Sequence, residues 1–299
     1  MILESENKNK MQYISKKDIK LPKRKKDSKK GDNGKVLVIG GSKDYIGAVA
    51  LAGLAALRSG ADWVTVAAPE KVAWAVNCLS HDLVTKKFKG EYLSPKHSNE
   101  IIGLSKKYDV VLVGNGMGLK KETKQFIKKV IKEIKNNLVV DADGIKALST
   151  NDLKNSIITP HIKELELFLL NSKIERNIVK KIINEKNIEK KALLIKKTLK
   201  NFLEKNNIIL LKGPVDAIIS KDKILFTKGG NPGMAKAGTG DVLAGLTAGF
   251  LAQSKNLLQS AINASYSNKQ IGDILLKKKK GFTYLASDMV DEIKRVLKK

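Results

Sequence analysis

Two apolar patterns alternate along this chain. Short runs of Val, Ile, Leu and Ala at 36–39, 63–67, 110–113 and 138–140, with Ile157-Ile158 after them, end mostly in glycine, aspartate or Thr-Pro. Runs that short, bounded by turn residues, predict buried strands. Between them lie stretches with helical character. Residues 46–59 are rich in Ala and Leu and close at Gly60, and 120–135 are lysine-rich and amphipathic. Strands separated by helices imply βαβ units around a mainly parallel sheet. Residues 171–206, almost all Lys, Ile, Asn, Glu and Leu, predict one or two exposed helices. Three short strands follow at 208–211, 217–220 and 224–227, joined by tight turns. Helices then close the chain at 241–253, after Asn256 and at 288–297. There is no internal repeat. In such sheets ligands sit beyond the carboxyl ends of the strands, which is where the glycine-rich turns and isolated polar residues fall here.

Composition changes the picture at the N-terminus and at the surface. Of 299 residues, 42 % are hydrophobic, enough for a core. Residues 1–30 are polar and lysine-rich and predict a loosely ordered lead-in, leaving 31–299 as a single domain. Met1 to Lys10 holds no apolar secretory segment and no run reaches the length of a membrane span, so a soluble, cytoplasmic protein is expected. Cys78 is the sole cysteine, which excludes an intramolecular disulfide. Net charge is +27, but only Arg24, Arg58, Arg176 and Arg295 among the 57 basic residues are arginine. Arginine is the residue preferred for bidentate base and phosphate recognition. With no aromatic-interleaved basic stripe, the charge reads as solvated lysine surface, and a basic nucleic-acid-binding protein is the disfavoured alternative. Trp63 and Trp74 read as core or interface residues.

The segment richest in chemistry is 230–241, Gly-Asn-Pro-Gly-Met-Ala-Lys-Ala-Gly-Thr-Gly-Asp, followed by Val-Leu-Ala-Gly. It is a glycine-rich turn feeding an apolar helix. Glycines let backbone N–H groups approach an anion, and a helix N-terminus adds unpaired donors and partial positive charge. Asp241, in the first turn, is either a helix-stabilising acid or a base that takes a proton from a substrate hydroxyl. The glycines around it favour the base.

Gly238-Thr239-Gly240-Asp241 resembles the anion-hole and catalytic-aspartate motif of ribokinase-like proteins. The longer string is similar to that of the NAD(P)H-hydrate dehydratases. Other segments agree in order: Lys30 to Gly34, Gly40-Gly41-Ser42 with Tyr45 and Gly47-Ala48, Ala56 to Ala61, Gly114 to Gly118, Val140 to Asp143, Thr159-Pro160-His161, Leu211-Lys212-Gly213 and Ala286-Ser287-Asp288. The likeness runs from about residue 23 to the C-terminus.

This resemblance implies a ribokinase-like three-layer α/β/α sandwich with a mainly parallel central sheet. It implies repair of NADHX and NADPHX, reduced dinucleotides damaged by water addition. ADP or ATP, with Mg²⁺, would phosphorylate the ring hydroxyl of the S-epimer, and phosphate would then leave. Asp241 would be the base. Lys212, Gly213, Pro214, Val215 and Asp216, with Gly238, Thr239 and Gly240, would bind the nucleotide. Ala48, Gly116, Gly118, His161 and Asp241 would meet the hydrated dinucleotide. Asp141 and Asp143 either cap the next helix or, like Glu164, are candidates for positioning Mg²⁺ through water. A homo-oligomer and a functional link to a separate epimerase are also implied. Apart from the resemblance, Ala48 reads as helix packing, Gly116 and Gly118 as turn glycines, His161 as a hydrogen-bonded loop residue and Lys212 as a solvated lysine. The chain departs from the family pattern in Lys29 before Lys30-Gly31-Asp32, in Ile162 and Lys163 after His161, in Asp216 where a hydroxyl residue is common, and in a long 171–206 segment. A kinase of a small vitamin-precursor alcohol with the same fold is the nearest alternative.

Overall fold

The β-branched runs pair as their pattern predicts. A computed structural model describes residues 12–279 and 281–297. Its strands are β1 (Gln12–Tyr13), β2 (Lys35–Ile39), β3 (Trp63–Pro69), β4 (Val84–Phe88), β5 (Val110–Val113), β6 (Asn137–Val140), β7 (Ser156–Ile158), β8 (Ile208–Leu211), β9 (Asp216–Ile219) and β10 (Ile224–Thr227). They form one sheet in the order β1-β10-β9-β8-β7-β6-β5-β2-β3-β4. Only β9 runs against the rest, pairing antiparallel with both β8 and β10. The sheet is therefore mainly parallel, as expected.

Parallel strands are covered on both faces, and side chains alternate between two cores. Val36 and Val38 point into one, Leu37 and Ile39 into the other. The first core is closed by α1 (Gly47–Arg58), α2 (Glu70–Leu79) and, from the far end of the chain, the last three helices. The second is closed by α3 (Ser98–Ser105), α4 (Lys121–Glu133), α5 (Ala142–Ala147), α6 (Ile162–Asn171), α7 (Arg176–Asn184), α8 (Ile188–Thr198) and α9 (Lys200–Glu204). The last three are α10 (Thr239–Ser254), α11 (Leu257–Lys278) and α12 (Ala286–Val296). This is the three-layer arrangement the sequence predicts.

Helix α10 lies against α1 through small residues. A Cβ on Gly245 would fall 2.1 Å from Ala52 O, and one on Gly249 would fall 2.0 Å from Ser59 Oγ. That contact fixes the axis of α10, and with it the position of the residues at its N-terminus.

Two expectations change. Residues 171–206 hold three helices beyond the end of α6, not one or two. Asn187 starts a new helix by accepting from Glu189 N and Lys190 N at 2.9 and 3.0 Å. Their faces are not wholly exposed: Val179, Ile182, Ala192, Ile195, Phe202 and Leu203 are buried. The lead-in is also anchored along its described part, while residues 1–11 lie outside the described residues. Strand β1 pairs with β10, and Asn263 on α11 exchanges two hydrogen bonds with the Lys20 backbone (3.2 and 2.9 Å). Further on, Asp62 Oδ2 accepts from Gly31 N, Asn33 N and Asn33 Nδ2, each at 3.0 Å, and Arg24 pairs with Asp62 Oδ1 at 2.9 Å. Trp63 is half-buried under Lys30, whereas Trp74 is exposed beneath Lys87, so it is not a core residue.

Candidate active site

Helix α10 begins in a turn that suits glycine. Gly238, its N-cap residue, has φ +93°, in the left-handed region. A Cβ there would meet Leu51 Cδ1 at 2.7 Å and Ala286 Cβ at 2.8 Å. The Thr239 hydroxyl braces the turn from within, 2.7 Å from Met234 O and 2.9 Å from Lys236 O. The opening N–H groups of a helix lack intrahelical partners. Thr239 and Gly240 line a cavity of about 690 Å³, a volume suited to a nucleotide-sized ligand.

The facing wall comes from the end of β8 and the turn into β9: Lys212, Gly213, Pro214 and Asp216. Lys212 Nζ lies 2.9 Å from Asp141 Oδ1 and 3.6 Å from Glu164 Oε2. Burial works against its charge, but Asp141, Glu164 and Asp241 outweigh burial and raise its pKa, so it stays an ammonium. A Cβ on Gly240 would fall 3.4 Å from Lys212 Nζ. The ammonium and the helix N-terminus thus converge on one region that favours an anion. Asp216 is buried and pairs with Lys269 Nζ at 3.2 Å. Its Oδ1 accepts from Gly213 N at 3.0 Å and its Oδ2 from Ser265 Oγ at 2.9 Å. The extra negative charge at this position is therefore compensated within the wall of the cavity. Burial still leaves the Asp216 carboxyl above the usual range, despite Lys269.

Asp241 follows the cavity-lining Thr239 and Gly240 and is tied through Asn115 to the ends of β2 and β5. There the strand order reverses, because β2 is flanked by β3 on one side and β5 on the other. Asn115, the second residue after β5, is fully buried. Its Nδ2 donates to Asp241 Oδ1 at 2.7 Å and to Asp141 Oδ2 at 3.0 Å. One amide thus bridges two carboxylates. Asp141 Oδ1 also accepts from Thr159 Oγ1 at 2.7 Å. Burial, and then the charge of Asp141, push the Asp241 carboxyl up to about 7, against the lowering effects of Asn115 and Lys212. A carboxyl poised near neutrality can both take and return a proton at physiological pH.

Ala48 and Gly116 meet beside these strand ends: a Cβ on Gly116 would sit 3.1 Å from Ala48 Cβ and 2.8 Å from Tyr45 Cβ. Gly118 is held through its N–H, which donates to Asp143 Oδ2 at 2.8 Å. Lys146 Nζ lies 2.9 Å from Asp143 Oδ1 and 3.9 Å from Glu164 Oε1. A chain of alternating charges, Asp143, Lys146, Glu164, Lys212 and Asp141, therefore runs from the Gly118 loop to the cavity. His161 lies on the cavity wall, in the company of the nucleotide candidates. It caps α6, with Nδ1 accepting from Lys163 N and Glu164 N. That leaves its proton on Nε2, 3.3 Å from Glu164 Oε1. Burial lowers the pKa of this ring, against the pull of Glu164. Of the remaining candidates, Val215 packs on the second core and Gly238 on Leu51 and Ala286.

Asp141 and Glu164 have Lys212 Nζ between them, and both Asp141 oxygens are engaged. Their donor set fits an ammonium and leaves no vacant pair of oxygens for direct metal ligation. Among the described residues no group of three or more His, Cys, Asp or Glu could hold a metal ion.

Asn115, Asn268 and Lys269 are the site residues that sequence reasoning did not single out. Asn115 lay inside a quoted glycine string. Asn268 and Lys269 sit within a long helix and carry no local signal.

Residues 36–295 match the family model described as NAD(P)H-hydrate dehydratase. The chain is 39 % identical over 281 residues to a bifunctional NAD(P)H-hydrate repair enzyme of Methanocaldococcus jannaschii, covering 93 % of this chain and 51 % of that protein. It is 33 % identical over 288 residues to the ADP-dependent (S)-NAD(P)H-hydrate dehydratase of Nitrosopumilus maritimus, covering 93 % of each. It spans about half the length of the bifunctional enzymes it matches. A ribokinase-like superfamily protein from Enterococcus faecalis has a similar structure, with a TM-score of 0.79 and 26 % identity over 95 % of this chain and 94 % of that one. No helix among the described residues is long and apolar enough to cross a membrane.

Proposed function

The chain belongs to the NAD(P)H-hydrate dehydratase family, and from that membership we propose that it dehydrates the S-epimers of NADHX and NADPHX at the expense of ADP or ATP. One observation carries the reading. Asp241, a carboxyl held near neutrality, stands beside a helix-N-terminal anion cavity and is hydrogen-bonded through Asn115 to the switch point of the sheet.

In this reading Asp241 takes the proton of the ring hydroxyl. The hydroxyl oxygen bonds to the terminal phosphorus of the nucleotide, and the bond to the leaving AMP, or ADP when ATP is the donor, breaks. The ring C–O bond then breaks, phosphate leaves with the electron pair, and a proton lost from the neighbouring ring carbon restores the double bond. Phosphate is a far better leaving group than hydroxide, which is the reason to spend a nucleotide on a dehydration. The N–H groups of Gly238, Thr239 and Gly240, with the Lys212 ammonium, hold the charge that moves with the phosphoryl group. Gly213, Pro214, Val215 and Asp216 form the rest of the nucleotide side. Ala48, Gly116 and Gly118 receive the dinucleotide, with His161 reaching it from the cavity wall.

Mg²⁺ would enter with the nucleotide and neutralise its phosphates, touching Asp141 and Glu164 only through water. We further propose a cytoplasmic homo-oligomer working with an epimerase that supplies the S-epimer. Product accounting tests the reading. One phosphate and one AMP, or ADP when ATP is the donor, should appear for each reduced dinucleotide regenerated. A stable phosphorylated product would instead make the protein a small-alcohol kinase of the same fold.

A further inference from the structure

Two asparagines line the 690 Å³ cavity, and their hydrogen-bonding differs. Asn231 is committed on both sides: Oδ1 accepts from Tyr284 Oη at 2.7 Å and from Gly233 N at 3.0 Å, and Nδ2 donates to Gly272 O at 2.8 Å. It holds the wall together. Asn268, on α11, is only 5 % exposed, and its Oδ1 has no hydrogen-bond partner. Two of its neighbours on the helix, Ser265 and Lys269, have theirs. Ser265 Oγ lies within reach of Asp216 Oδ2 and Thr227 Oγ1, and Lys269 Nζ is held by Asp216 and by the carbonyls of Gly213 and Pro214. Ser267 Oγ also lacks a partner but does not line the cavity. An unmet buried carbonyl is costly unless something else supplies the donor.

The surroundings say what that donor is. Lys212 and Gly240 mark the anion end of the cavity. Asn268 shares the same cavity with Leu243 and Met234, apolar surfaces against which a flat ring can lie. We propose that Asn268 reads the base of the nucleotide, its Oδ1 accepting from the exocyclic amino group of adenine while its amide hydrogens face a ring nitrogen. A carboxamide matches that donor–acceptor pair in two bonds. The inference rests on the nucleotide-dependent reading above and adds which base is selected and by which residue.

Calorimetric titration of the full chain, without dinucleotide, tests it. The ligands are ADP and the purine riboside diphosphate that lacks the 6-amino group. The wild type should bind ADP about tenfold more tightly than the analogue, the worth of one such bond. Asn268→Leu removes an unpaired polar atom at similar volume, so the fold should hold. It should lose about tenfold in ADP affinity and bind both ligands within twofold. A wild type indifferent to the amino group, or a variant that keeps the preference, would overturn the proposal. Because the readout is binding, a protein that selects adenine yet fails to repair NADHX would sink only the dehydratase reading. One that repairs NADHX without selecting adenine would sink only this inference.

Discussion

Asp241 is informative at the scale of a single residue because two opposing influences set its proton affinity. Burial and Asp141 raise it to about 7, while Asn115 and Lys212 pull it down. As the proposed base, Asp241 must be ionised to accept a proton, so turnover should rise with pH through about 7 and level off above it. Removing the Asn115 amide deletes a lowering influence, so Asn115→Ala should move that inflection to higher pH while the plateau stays measurable. A pH profile of kcat checks this, and an unmoved inflection would mean that the bridge does not tune the base. Asp241 was legible in the sequence because Gly238 and Gly240 precede it at a helix start. Asn115 was not, because its role exists only once β5 lies beside β2 and brings the end of β5 to the N-terminus of α10. Position 216 shows the same limit: a misplaced charge in sequence becomes a compensated one when Lys269, 53 positions later, turns out to face it at 3.2 Å.

Among the elements, α10 carries the proposed base and packs closely on α1. Its N-terminal end is aimed by that contact, where Ala52 O stands 2.1 Å from where a Cβ on Gly245 would be. Gly245→Ala should therefore destabilise the fold by about 1–3 kcal/mol through overpacking, despite the better helix propensity of alanine. Gly47→Ala, at the exposed start of α1 with nothing within 4 Å of its Cβ, should be neutral or mildly stabilising. Urea unfolding of both variants gives the comparison, and equal midpoints would show that the α1–α10 contact relaxes freely. The short strands were legible element by element because fully buried parallel strands read as unbroken apolar runs. The helices of 171–206 were not resolved into three. Their lysines mask a narrow buried stripe, and the break at Asn187 depends on a cap that looks like any other polar residue in a polar segment.

For the whole molecule, the mainly parallel, doubly covered sheet followed from the alternation of strand and helix patterns, and the glycine strings in order carried the ribokinase-like family. Along residues 12–30, what composition suggested was overridden by tertiary contacts, since residues that look loose in sequence are tied by β10, Asn263 and Asp62. The proposed function makes one claim: nucleotide and dinucleotide meet at a single ionisable carboxyl, Asp241. The direct test is to incubate the protein with NADHX, Mg²⁺ and either ADP or ATP, and to follow absorbance of the reduced nicotinamide, with Asp241→Asn beside the wild type. Nucleotide-dependent recovery of absorbance, lowered by at least about 100-fold in the variant, is the expected result. No recovery with either nucleotide from a folded protein, or equal recovery by Asp241→Asn, would contradict the account.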